Sequence, residues 1–338
     1  MKIRMPKFNF KLCENTNILQ KENMNCLKGI FAVCVLIHHL YQYSGLFRKT
    51  IIGTVLQELG FWSVAMFFFF SGYGLMSSYK QKQNNYINHF VLHRIIPFYI
   101  IICFLVCIYL FQDFILGDKV SILLLIQSLT FGETLVVNGW YLQVQLLLYI
   151  LFYKIYFYRK FKNDFFKQFF LWIVILYIYS KIMIYFRYPI TWYGTIFTFV
   201  LGIAWSIYEI KIENVLKISK RRYIVSLVSF ILFLICSILN KITRLDIIMS
   251  LSMIFFVITT ILFVYRIRMN FFITQFLGRN SLGIYVMQGL FLKGIKNNGK
   301  NLSLYCIEVI IGTLITAILF HKIQEKIYKI MKGRLIWK

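Results

Sequence analysis

The sequence predicts an all-α, polytopic integral membrane bundle of about ten transmembrane helices with both termini in the cytoplasm. Apolar content, the length of the apolar stretches and the placement of basic residues predict it. Of the 338 residues, 59% are hydrophobic, 19% aromatic and only 15% charged, and the mean hydropathy is +0.70. A soluble domain is roughly 45–50% apolar and about a quarter charged, because its surface must be covered with polar groups. So much Phe, Ile, Leu and Tyr excludes a soluble globular core.

Apolar stretches able to span fall near 24–43, 59–79, 95–112, 138–157, 169–186, 190–208, 223–240, 245–264, 280–294 and 303–320. A crossing takes about 20 residues at a rise of roughly 1.5 Å each. The ninth stretch is short and follows an interfacial turn. "VSILLLIQSLT" at 120–130 is too short to cross and reads as a segment that lies flat or re-enters.

With ten crossings, 28 of the 38 Lys and Arg fall on the side of the termini and 10 on the opposite side. That asymmetry places both termini in the cytoplasm. The net charge of +26 is thereby a topology signal with an attraction to anionic lipid, and nucleic acid is not an expected partner. The expected organisation is a cytoplasmic tail over 1–23, a transmembrane domain over 24–320 and a basic cytoplasmic tail over 321–338. The opening residues lack an apolar core of signal-peptide length, so the first span acts as the internal signal. The expected location is a bacterial cytoplasmic membrane, the composition being that of an AT-rich genome. None of the seven cysteines has zinc spacing, and no metal is called for.

Ionisable residues inside spans are costly and mark function by default. In "LKGIFAVCVLIHHLYQY" (27–43), Lys28 and His39 are eleven residues apart. On a helix that is about 16 Å of rise and three turns plus about 20°, so both line one face. Lys28 can snorkel; His39 is too deep to do so, and reads either as a base near neutral pH or as a structural hydrogen-bonding group. His38 points about 100° away and orients its neighbour or touches the acceptor. In "FWSVAMFFFFSGYGLM" (61–76) the small residues serve close helix packing, or they free space for a ligand that Ser71 holds. Arg94, in "HRIIPFY" (93–99), is either a phosphate contact or a snorkelling boundary residue. "NGWYLQVQLLLYI" (138–150) brings Trp140, Gln143 and Gln145 to the outer end of the fourth span, and "LGRNSLGIYVMQGLF" (277–291) brings Arg279 and Gln288.

These stretches, in this order, resemble the membrane acyltransferase-3 family, whose members O-acetylate surface glycans and related acceptors. "LKGIFAVCVLIHH" matches its Leu-Arg-Gly opening with a histidine eleven residues after the arginine, Lys28 standing at the arginine position and His39 at the histidine. "FFFFSGYGLM" matches Phe-Phe-x-x-Ser-Gly-Phe through Ser71 and Gly72. Of the arginine pair before Ile-x-Pro, Arg94 is kept and Val91 replaces the other. "WYLQVQLLLY" carries Gln145 where the family has glutamate, and "SLGIYVMQ" carries Gln288 where it has histidine.

The resemblance implies a co-substrate, acetyl-CoA or another acyl-CoA, entering from the cytoplasm, and a hydroxyl on an extracytoplasmic glycan as acceptor. It implies Lys28, Arg94 and Arg279 at the donor phosphates, and His39 as base with Ser71 or Gln145 at the oxyanion. His38, Trp140, Gln143 and Gln288 then fall to the acceptor. The lipid bilayer is the remaining partner, and homo-oligomerisation is left open. The alternative class is a secondary transporter or exporter of a glycan-related or small polar substrate, which also needs about ten spans and buried polar groups.

Overall fold

The computed structural model describes residues 19–157, 164–265, 269, 271–295 and 301–333, and every regular element among them is helical. Most of the predicted amino-terminal tail and the last five residues, 334–338, lie outside the described residues, as do the basic residues within 158–163 and 266–268.

The helices are α1 (Lys21–Ser44), α2 (Ile51–Asn88), α3 (Ile96–Leu116), α4 (Ile122–Leu129), α5 (Trp140–Phe157) and α6 (Phe165–Tyr185). They continue as α7 (Phe197–Lys217), α8 (Ser219–Thr243), α9 (Asp246–Val264), α10 (Phe272–Arg279), α11 (Ser281–Gly294) and α12 (Leu302–Gly333). Among the described residues, eight helical segments are long and apolar enough to cross a bilayer, which makes this a multi-pass membrane protein.

Two of the ten expected spans are not among the eight. The fourth is α5, 18 residues long and diluted by Gln143, Gln145 and Lys154. The ninth is α11, only 14 residues long, because the chain breaks at Asn280 and the preceding eight residues form the separate amphipathic α10. The 120–130 stretch is the eight-residue α4. Residues 321–333, within the expected carboxy-terminal tail, continue α12 to Gly333.

Helices approach closely where glycines pair. A Cβ on Gly72 of α2 would run into the Phe199 carbonyl of α7, and one on Gly202 of α7 would run into the Phe69 carbonyl of α2. Gly29 of α1 and Gly278 of α10 oppose the Thr274 and Asn25 carbonyls in the same reciprocal way. Without a hydrophobic drive between helices in lipid, such backbone approach supplies the packing.

Residues 130–139, between α4 and α5, turn back into the bundle, and Leu135 and Val136 are buried there. Backbone buried in a membrane protein must be satisfied internally. Gln143 does part of this: its Oε1 accepts from the Gly132 N–H at 3.0 Å and its Nε2 donates to the Gln127 carbonyl at 2.8 Å. The Leu135 N–H donates to Ser128 Oγ at 2.9 Å. Beside this loop, α3 clamps α11. Tyr109 donates to the Val286 carbonyl and Gln112 to the Leu290 carbonyl, while Lys293 bridges the buried Asp113 and the exposed Asp118.

Candidate active site

Two cavities lie along α1. The larger, about 540 Å³, is bordered by α1, α2, α3, α5, α11 and α12. Among the described residues that line it, Lys28 and Arg94 are the charged ones and none is a carboxylate. Lys28 Nζ stands 5.9 Å from the Phe70 ring centroid, a cation–π contact that holds the ammonium without neutralising it. Arg94 sits in a π-helical turn, Val91–Ile95, where the Ile96 N–H reaches back to the Val91 carbonyl. Pro97 follows; proline lacks an N–H and crowds the carbonyl four residues back, and the wider turn relieves that conflict.

Ser71 and Gln145 meet in the wall of this cavity, Gln145 Nε2 donating to Ser71 Oγ at 2.8 Å. The helix runs unbroken through the glycine-rich stretch, and its two glycines differ: Gly72 packs against α7, whereas a Cβ on Gly74, which lines the cavity, would meet nothing within 4 Å. Tyr141 and Tyr149 of α5 and Gln324 and Tyr328 of α12 add to the polar lining, together with Ser78, Ser281 and Tyr285.

The smaller chamber, about 90 Å³, contains His38, His39, Gln42, Gln57, Asn138 and Trp140 in its lining. His38 Nδ1 lies 2.9 Å from the Leu56 carbonyl. A carbonyl only accepts, so that nitrogen carries the proton and the ring is fixed. Gly60 makes room for it, since a Cβ there would collide with the ring. The His38 and His39 centroids are 5.0 Å apart. Both are buried.

Asn138 Nδ2 lies 3.1 Å and 3.2 Å from the two ring nitrogens of His39. Its backbone has φ 60°, a left-handed conformation that asparagine tolerates better than most residues. The Asn138 carbonyl accepts from the Tyr285 hydroxyl at 3.0 Å. Tyr285 lines both cavities, and its ring is 5.0 Å from that of Tyr141 and 6.5 Å from that of His39.

The structure therefore gathers Lys28, Ser71, Arg94 and Gln145 on the large cavity and His38, His39 and Trp140 on the small one. The other three predicted residues line neither. Arg279 is exposed at the end of α10. Gln143 is occupied in holding the re-entrant loop. Gln288 is fully buried one turn after Tyr285, donating to that residue's carbonyl at 2.9 Å. Asn138, Tyr285 and Tyr328 went unpredicted. The Asn138-Gly139 pair carried a turn signal, but nothing in the sequence aims that turn at His39.

A protein-family model described as an acyltransferase domain matches residues 21–321. The chain belongs to the membrane acyltransferase-3 family. Membership makes it an integral-membrane acyltransferase, in a family that includes surface-glycan O-acetyltransferases, and decides between the enzyme and the transporter readings. No curated protein and no solved structure matches the chain. The family match spans every helix that contributes to the two cavities except the last turns of α12, where Gln324 and Tyr328 sit.

Proposed function

We propose that this acyltransferase moves an acyl group, acetyl in the simplest case, from cytoplasmic acyl-CoA to a hydroxyl of an extracytoplasmic saccharide. The bundle is crossed ten times in this reading, α5 and α10–α11 included, with both termini in the cytoplasm. The observation that carries it is the meeting of two chemically different cavities at Tyr285. A carboxylate-free cavity with Lys28 and Arg94 suits the diphosphate of a CoA thioester. Its remaining depth, toward Tyr141 and Tyr285, suits the pantetheine arm. The small chamber, with amides, a tryptophan and no charged side chain except a protonated imidazole, suits a neutral sugar.

Lys28 and Arg94 hold the donor phosphates, and the arm runs past Gly74 and the Ser71–Gln145 pair. His39 removes the proton from the acceptor hydroxyl as its oxygen attacks the thioester carbonyl carbon. Gln145 keeps a second amide hydrogen for the developing oxyanion, or Ser71 supplies its hydroxyl. Collapse breaks the carbon–sulfur bond, and the thiolate takes the proton back from His39. The products are an ester on the sugar and free CoA. His38 and Asn138 fix the position of the working imidazole, and Trp140 packs against the acceptor ring.

The test pairs purified protein with cells. Protein in detergent is expected to bind acetyl-CoA and to release CoA faster when a glycan acceptor is added. Surface polysaccharide from cells with and without the gene is expected to differ by acetyl-sized masses. Failure of acetyl-CoA to bind, together with unchanged polysaccharide, would refute the reading.

A further inference from the structure

Beside the large cavity is a pocket of about 210 Å³, lined by Lys82, Asn85, Tyr86, His89 and His93 together with Arg94 and Tyr328. Arg94 and Tyr328 also line the large cavity, so the two spaces adjoin. We infer that this pocket seats a phosphate monoester, the 3′-phosphate of the acyl-CoA donor. The inference rests on the donor reading above and extends it to a second anionic group.

Charge is the first support: four of the seven lining residues are Lys, Arg or His, and none is a carboxylate. Backbone geometry is the second. Gln83 interrupts α2 with φ 44° and ψ −123°, a region that residues with a side chain enter only at a cost, and such positions cluster at ligand clamps. That break separates Lys82 from Asn85, Tyr86 and His89. The π turn at Val91–Ile95 then presents His93 and Arg94. The pocket thus lies between two interruptions of regular helix.

Its imidazoles are ordered. His89 Nδ1 is 2.9 Å from the Asn85 carbonyl, and the His89 and His93 rings stack with centroids 5.6 Å apart and planes 17° off parallel. A CoA molecule carries two anionic groups, a diphosphate and a phosphate monoester, separated by one ribose. Two basic pockets joined through Arg94 match that pair, the diphosphate between Lys28 and Arg94 and the monoester between Arg94 and Lys82. A phosphate on a lipid headgroup has the same chemistry, so the test must separate the two sources.

The experiment is calorimetry on the full chain in uncharged detergent free of phospholipid, with CoA and dephospho-CoA as ligands. The expected result is CoA bound roughly tenfold or more tighter, the effect of one or two charge-assisted hydrogen bonds. In a Lys82→Ala, His89→Ala double variant the preference is expected to fall to about twofold or less, with dephospho-CoA affinity unchanged, and Lys82→Arg is expected to retain it. Equal affinities in the unsubstituted protein, or a preference that survives the double substitution, would overturn the inference while leaving the donor reading intact. If neither ligand binds, both fall. A third arm titrates phosphatidic acid: if the double variant loses that lipid but keeps its preference for CoA, the pocket belongs to the headgroup and the inference is overturned.

Discussion

The larger cavity sets two cations and no carboxylate around about 540 Å³, whereas the smaller encloses about 90 Å³ among imidazoles, amides and Trp140. Lys28 faces the first and His39 the second, although both belong to α1 and lie eleven residues apart. One helix thus serves two environments, and the proposed function assigns the donor phosphates to the cation of the first and proton transfer to the imidazole of the second. On that reading binding and chemistry are separable, and substitutions in the two cavities should fail in different ways.

The sharpest way to break that contrast is His39→Gln. Glutamine keeps a polar group of similar reach but cannot accept and return a proton. Turnover is expected to fall by about 10²–10⁴, the usual worth of a general base, with acyl-CoA affinity within about twofold. Single-turnover acyl transfer and calorimetry measure the two quantities. Lost affinity with turnover retained would reverse the assignment of the cavities. Lys28→Ala is the complementary case, with about 10–100-fold weaker acyl-CoA binding from the loss of a charge-assisted contact and turnover at saturating donor reduced only about threefold or less. A kcat that falls as far as the affinity would mean that Lys28 also acts on the transition state.

The glycines of α2 sharpen the comparison from the side of packing. Gly72→Ala drives a Cβ into the Phe199 carbonyl, while the same change at Gly74 meets open space. The first is expected to cost about 1–3 kcal/mol as overpacking, read as a lower melting temperature in detergent. Gly74→Leu is expected to leave melting unchanged and to weaken acyl-CoA binding by partly filling the larger cavity. Equal melting temperatures for the two variants would remove the distinction between a packing glycine and a ligand-facing one.

Much of this arrangement was legible in the sequence because it is local. The Lys28–His39 stripe follows from helical phase, and the short α4 from its length; the stretch around Ser71 suggests either close packing or open space, but not which glycine does which. What escaped was tertiary. Gln143 and Gln145 are equally polar neighbours, but two residues on a helix are about 200° apart. Gln145 consequently lines a cavity while Gln143 turns to the re-entrant loop. Periodicity alone does not say which of two such faces is the site. Asn138 reaches His39 only because that loop folds inward, and Gln324 and Tyr328 reach the larger cavity only because α12 runs on past residue 320. Tyr285 looks like any other aromatic residue of an apolar span until the two cavities are seen to share it.

Tyr285→Phe probes that shared wall and carries the smallest effect. The ring remains to part the cavities, but the hydrogen bond to the Asn138 carbonyl is lost. Asn138 would keep its left-handed turn through the neighbouring bonds of the loop, with its amide less firmly held beside His39. One neutral hydrogen bond is worth about 0.5–1.5 kcal/mol, so kcat is expected to fall about two- to tenfold with donor affinity unchanged. Tyr285→Ala differs because it removes the ring itself and opens one cavity to the other. There the expected signature is a rise in acyl-CoA hydrolysis relative to transfer, since water then reaches the thioester from the His39 side. Transfer and hydrolysis counted together in one assay separate the two variants. If Tyr285→Ala keeps its product ratio, the tyrosine ring is not what keeps water from the thioester.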